Sequence, residues 1–438
     1  MFGMGFFPII LLFEFLFLGI IVQVDIGTDM TICSLGLLML NSGILSSLLL
    51  KAIPGEKELC NYLVLSLFLH ICLIIFDVFG REFFVLPNAE GDAVAYAQIA
   101  ISYAFGMRKS LIELRDYSFW CGQIYKLIGV QPVTIQFINA YLALYAVVFI
   151  HRVTVMLNIS FEYRRKMILF MCFLPNLLVI TSVFLRESLI AFCITASIYF
   201  YTKWWFDYKN MNLMFAMVLS FIGAVFHVGG LACAIGYVIT MFCVNNRQRK
   251  IQISSKSIMS MMILLFITLL CASYFSNVLF SKIGGELSVE NIVESAGKTD
   301  RTSDAEYKIG IQGLSPILDL LVNSPVRMFY FVAAPPPWMW RGLKDIVAFC
   351  GSTIFYLYVL VQFWHFICEY RNKFSESFFI SYILVVGVIL FVATLMFGWG
   401  VSNTGTALRH REKFTFVFSL LYALLAQYRN SIRKQAKI

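Results

Sequence analysis

Charge is scarce in this chain: 13% of its 438 residues are Asp, Glu, Lys or Arg, against 60% hydrophobic and 16% aromatic. That excludes an ordinary solvated globular surface, and many apolar runs reach the length of a bilayer crossing. The formal charge is +9, but the basic residues are scattered through short loops rather than gathered on a polar domain, so nucleic acid is set aside as a partner. Eleven cysteines are present, most of them inside apolar runs and only Cys121 clearly in a loop, which gives neither a disulfide framework nor a zinc-ligand spacing. The first apolar run, Phe6 to Val24, has no basic segment before it and no small-residue cleavage site after it. A retained helix is expected there rather than a signal peptide. No internal repeat argues for duplicated transporter halves, and no nucleotide-binding loop is present.

What is present is apolar periodicity on the scale of a membrane. Runs of about 16 to 25 residues give twelve candidate spans: 6 to 24, 31 to 50, 59 to 79, 132 to 150, 167 to 185, 188 to 203, 212 to 226, 229 to 244, 258 to 280, 346 to 368, 377 to 397 and 414 to 428. Two junctions, at Arg186-Glu187 and at His227-Val228-Gly229-Gly230, are so short that each reads as a tight hairpin or a broken helix. The fold class expected is therefore an all-α polytopic membrane protein, residues 1–438 forming a single integral membrane domain of about twelve helices.

Lys and Arg set its orientation. With the N-terminus cytoplasmic, one side receives eighteen basic residues in its short loops and tail, among them Lys51, Arg152, Arg164, Arg165, Lys203, Arg247, Arg371 and Arg429. The other side receives four, Arg186, Arg409, Arg411 and Lys413. Both termini are expected in the cytoplasm. Two long segments, 80–131 and 281–345, then lie on the outer face, together with a polar hairpin at 399–413.

The chemistry-bearing residues collect on that face: Asp92, Arg186 with Glu187, His227, and Arg409-His410-Arg411. Several charged groups at one membrane level favour an aqueous cavity opening there. Asp92, behind Gly91, reads either as a helix cap or as a carboxylate acting as base or sugar-hydroxyl acceptor. Arg186 and Glu187 are a self-neutralising pair or a functional one, and His227 is a loop histidine or a donor to phosphate or sugar. His70 and Asp77 are expected to bond helix to helix. Tyr330, Trp338 and Trp340 read as an aromatic belt, with sugar stacking as the other reading. Several arginines with a carboxylate and no metal-ligand cluster suit an anionic leaving group held by charge-assisted hydrogen bonds while a base deprotonates an acceptor hydroxyl. On the outer face a lipid-linked diphosphate is the natural donor, and no cofactor is expected.

Asn403-Thr404-Gly405-Thr406-Ala407-Leu408-Arg409-His410-Arg411, the Tyr330 to Arg341 segment with its Ala-Pro-Pro-Pro-Trp core, and Leu185-Arg186-Glu187-Ser188-Leu189 resemble the bacterial polysaccharide repeat-unit polymerases of the O-antigen and capsule (Wzy) type. Gly91-Asp92 with Tyr96, and Phe226-His227, are similar to positions in exopolysaccharide polymerase-like membrane proteins. The resemblance implies a fold like the lipid-donor glycosyltransferases. It also implies an inner-membrane enzyme joining undecaprenyl-diphosphate-linked oligosaccharides at the periplasmic face, with a chain-length regulator as a partner. On that reading Arg186, Arg409 and Arg411 hold the donor diphosphate, Asp92 or Glu187 is the base, and His227 and His410 orient substrate. Arg327, Trp338 and Arg341 complete the substrate-binding set, and no metal is expected. The competing readings are a glycosyltransferase using a polyprenyl-phosphate sugar and a lipid-linked oligosaccharide flippase.

Overall fold

The computed structural model describes residues 29–108, 114, 116–245, 250–251, 316–370, 378–401 and 403–435. The expected spans 6 to 24 and 258 to 280, and residues 281–315 of the second outer segment, lie outside the described residues. The described chain is helical apart from a two-residue antiparallel ribbon, β1 (Val244–Asn245) against β2 (Lys250–Ile251).

The helices fall into two compact units, one of residues 1–200 with 221–228, the other of 201–220 with 229–438. The first holds α1 (Asp29–Ala52), α2 (Lys57–Phe79), α3 (Asp92–Ala104), α4 (Tyr117–Ile128), α5 (Pro132–Met156), α6 (Phe161–Phe173), α7 (Pro175–Ser182) and the start of α8 (Glu187–Asp207). It also takes the end of α9 (Asn210–Phe226). The second holds α10 (Leu231–Cys243), α11 (Pro316–Ala333), α12 (Leu343–Ala348), α13 (Ile354–Tyr370), α14 (Phe378–Gly400), α15 (Thr404–Glu412) and α16 (Thr415–Gln435).

Among the described residues four helices are long and apolar enough to cross a bilayer: 57–79, 132–156, 343–369 and 378–400. A fifth crossing is available if α6 and α7, bent by 51°, count as one span. The bend falls at Pro175, which lacks an N–H and holds Leu174 extended at φ −66°, ψ 115°. This is a helical membrane protein by those helices. The expected span 31 to 50 falls on α1; 188 to 203, 212 to 226, 229 to 244 and 414 to 428 fall on α8, α9, α10 and α16, and these four do not meet that test. At 1.5 Å per residue the 17 residues of α9 and the 13 of α10 cover only about 26 and 20 Å of a core about 30 Å thick.

In the first unit α5 packs against α1, α2, α6 and α7, and it buries side chains nearly all round its circumference. Polar pairs cross this apolar interior from helix to helix, as expected for His70 and Asp77. His70 Nε2 lies 2.9 Å from Thr181 Oγ1, and Gln136 Nε2 donates to Asp77 Oδ2 at 2.6 Å. At the far end of α5, Glu56 holds both His151, at 2.8 Å, and Arg164, which joins the α1–α2 turn to the starts and ends of two further helices. In the second unit α14 is the centre, packed by α10, α11, α15 and α16. Gly398 lets α11 come close, since a Cβ there would stand 3.2 Å from Met328 N and 3.3 Å from Arg327 C, both backbone atoms.

Candidate functional site

In the first unit the chain unwinds between α7 and α8. Residues 183–186 have no helical structure, and the break is held by one buried amide. Asn139, on α5, donates through Nδ2 to Val183 O at 3.1 Å and Leu185 O at 2.8 Å, and its Oδ1 accepts from Tyr117 OH at 3.0 Å. Tyr117 in turn meets Tyr96 and Phe184 edge-on, with centroids 5.9 and 6.0 Å apart. These contacts put the next two residues in place. The Arg186 guanidinium lies 5.6 Å over the Tyr96 ring and donates to Phe226 O at 2.8 Å. Phe226 is the residue before His227, and Tyr96 is one turn along α3 from Asp92. Three of the elements singled out from sequence therefore meet around Arg186.

The residues of this group differ in exposure. Asp92 is the first residue of α3, exposed, behind Gly91 at φ +57°, where the helix macrodipole favours a carboxylate. Glu187 opens α8 and is only 3% exposed, while His227 is half-buried at the end of α9. The buried Nε of Arg186 and the buried Oγ of Ser188 meet no hydrogen-bond acceptor or donor among the described residues. Each is a spare polar atom beside the start of a 21-residue helix. Nearby, burial pushes the Tyr117 hydroxyl well up and the Cys121 thiol up to about 12, so both stay neutral at ordinary pH.

In the second unit the segment read as a hairpin is a helix, α15. Asn403 caps it, with Oδ1 accepting from Thr406 N at 2.8 Å. Its last turn is buried: His410, Arg411 and Glu412 are each 7% exposed or less, and so is Lys413 beyond it. Arg411 has no exposed surface, and both of its Nη atoms bond to the chain itself, while Nε meets no acceptor among the described residues. Nη1 reaches Val332 O and Ala334 O, Nη2 reaches Ser352 Oγ and Thr353 Oγ1 at 3.1 Å each, and the guanidinium lies 4.5 Å over the Tyr356 ring. Tyr356 OH and Thr415 Oγ1 both donate to Glu412 Oε2, at 2.9 and 2.7 Å. Arg411, expected from the sequence to hold a diphosphate, is buried and pins α11, the π-helical stretch at 349–353 and α13 together. Arg409 is half-buried on the same helix, and Arg327, on the α11 face packed by Gly398, is 7% exposed.

Phe397 is the hub beside them. Its ring faces His410 at 5.4 Å, stacks on Phe331 at 5.6 Å and lies 5.5 Å from Lys413 Nζ. It also fills the space over Gly229, where a Cβ would stand 2.0 Å from Cζ. Trp338 is separate from this group. It is 65% exposed, parallel to Phe329 at 6.3 Å, on a 3₁₀ turn that follows the buried Pro335 and Pro336. Arg341 is exposed and paired with Asp345 at 3.2 Å, a surface pair of small energetic worth.

Sequence alone did not point to Asn139, Tyr117, Tyr356 or Lys413. Asn139 carried a signal, an amide in the middle of an apolar run, where a polar side chain needs a partner. Among the described residues no group of three His, Cys, Asp or Glu gathers as a metal-binding set. Comparison with protein-family models, with curated proteins and with solved structures finds no match to this chain.

Proposed function

We propose that the chain is a polymerase of lipid-linked oligosaccharide repeat units, acting on undecaprenyl-diphosphate-linked substrates at the outer face of a bacterial inner membrane. The observation that carries this reading is a cluster of cations on and beside one short helix. Among the described residues of the second unit, Arg327, Arg411 and Lys413 are buried and Arg409 is half-buried. A diphosphate suits guanidinium donors gathered in this way.

On this reading Arg327 and Arg409 hold the donor diphosphate, and Arg411 fixes the helix that carries Arg409. A carboxylate serves as the base. The acceptor hydroxyl oxygen forms a bond to the anomeric carbon of the donor sugar. The bond from that carbon to the diphosphate oxygen breaks, its electron pair leaves on the lipid diphosphate, and the base takes the hydroxyl proton.

Deleting the gene and separating the surface glycan on a gel tests the reading. The expected result is carrier capped by a single repeat unit, restored to a ladder by the wild-type chain but not by Arg409→Ala, with the variant present in membranes at the normal level. Loss of the single unit as well would overturn the reading and favour a flippase or a transferase that builds the unit.

A further inference from the structure

The segment between α2 and α5 holds large apolar side chains outside the packed interior. Phe105, Met107, Leu114 and Leu127 are 68%, 71%, 64% and 85% exposed, and Trp120 is 45% exposed. Contacts join several of them into one surface. Trp120 Nε1 donates to Leu114 O at 3.0 Å, the Trp120 ring meets that of Phe119 at 5.6 Å, Phe119 meets Tyr103 at 5.4 Å, and the Arg108 guanidinium lies 5.8 Å over the Tyr103 ring. Leu127 stands about two turns beyond Trp120 on the same side of α4. The opposite side is interior. Tyr117, Cys121 and Tyr125 are buried, and Gly122 admits α3 closely, since a Cβ there would stand 2.8 Å from the backbone oxygen of Ala100.

We propose that this surface is seated in the headgroup layer of the bilayer, with α4 as an interfacial helix and lipid as the partner that covers it. Position is the first argument. α2 and α5 pack together in one unit, and each is long and apolar enough to cross a bilayer. Only three residues, 129–131, separate the end of α4 from the start of α5, a link of about 14 Å at full stretch. At the other end Phe83, 87% exposed, lies just beyond the last residue of α2. The exposed apolar side chains therefore begin and end where two crossings leave the membrane. Chemistry is the second argument. An apolar surface of this kind turned to water invites association, whereas indole, phenyl and aliphatic groups are stable at headgroup depth. The exposed cations beside it, Arg108 and Lys126, are drawn to lipid phosphate. The same helix carries Tyr117, which donates to Asn139, and Asn139 holds the break before Arg186. One 12-residue helix thus meets lipid through Trp120 and supports Arg186 through Tyr117, which ties the depth of Arg186 to the membrane surface.

The test uses the full chain in nanodiscs of phosphatidylcholine and phosphatidylglycerol, with fluorotryptophan in place of its seven tryptophans. The ¹⁹F signal of Trp120 is identified by its loss in Trp120→Phe. A phospholipid carrying a nitroxide near its headgroup is expected to broaden that signal more than a water-soluble gadolinium chelate does. The reverse order overturns the proposal, since the surface then faces water. A signal that neither agent broadens overturns it as well, because protein, a second copy of the chain included, then covers the surface. Leu127→Trp, at an exposed position, adds another indole to the same side of α4, and its new signal is expected to follow that of Trp120. Should Trp120→Phe fail to reach the membrane, the added signal decides the matter by the same comparison. No outcome depends on glycan synthesis, so the proposal stands or falls apart from the polymerase reading.

Discussion

Removing the side chain of Arg411 strips Val332 O, Ala334 O, Ser352 Oγ and Thr353 Oγ1 of a shared donor in a fully buried setting. Arg411→Ala is expected to cost about 3–5 kcal/mol, seen as a large fall in thermal midpoint in detergent and in the amount of protein in membranes. Arg409→Ala, at a half-buried position on the same helix, leaves both near normal. Two arginines that look equivalent in sequence thus separate by burial, Arg411 holding the fold and Arg409 half-buried on the same helix. Cys121 offers a test by pH. Its thiol is pushed up to about 12 by burial, so the reactive thiolate is scarce throughout pH 7 to 9 in the folded chain. Unfolding returns it toward the ordinary range, and maleimide labelling of a Cys121-only variant should accelerate sharply on denaturation. Measurable labelling of the native chain at pH 8 would contradict this burial. Which residues carry charge was plain from the sequence, but which of them face inward was not. Burial of Arg411 depends on carbonyls, hydroxyls and a ring contributed from positions 55 to 79 residues earlier, and no local pattern announces such partners.

At the scale of elements, the break between α7 and α8 is the feature on which the first candidate group depends. Asn139→Ala leaves two carbonyls, those of Val183 and Leu185, without their donor in a buried setting. Each orphaned group costs about 1–3 kcal/mol. Tyr117→Phe removes a single hydrogen bond worth about 1 kcal/mol. Because both act on one network, the double variant should lose less stability than the two single losses added together, which thermal unfolding of all four proteins will show. The weakness of the junction at Arg186-Glu187 was legible in the sequence as two apolar runs with almost nothing between them. The bend at Pro175 lay inside a run counted as one span, because apolarity measures partition into the membrane and says little about where the helix axis turns. The same limit bears on the shorter expected spans. Runs such as 229 to 244 are apolar enough for a membrane interior, yet the helix they form is too short to cross it alone.

At the scale of the molecule, the distribution of Lys and Arg makes a claim that does not depend on any site. A phosphatase reporter fused after Gly106 should be active, and one fused after Lys209 inactive. The reverse pattern would turn the chain over in the membrane and remove the outer-face reading of Asp92, Arg186 and His227 together. Within the second unit the ring of Phe397 occupies the space that a side chain at position 229 would need. The two positions therefore share one history. While residue 397 keeps its ring, 229 admits no side chain, and a lineage can acquire alanine at 229 only after a smaller residue has been accepted at 397. The order of the two substitutions, and not only their identity, decides which descendants of this protein keep a packed helix beside His410.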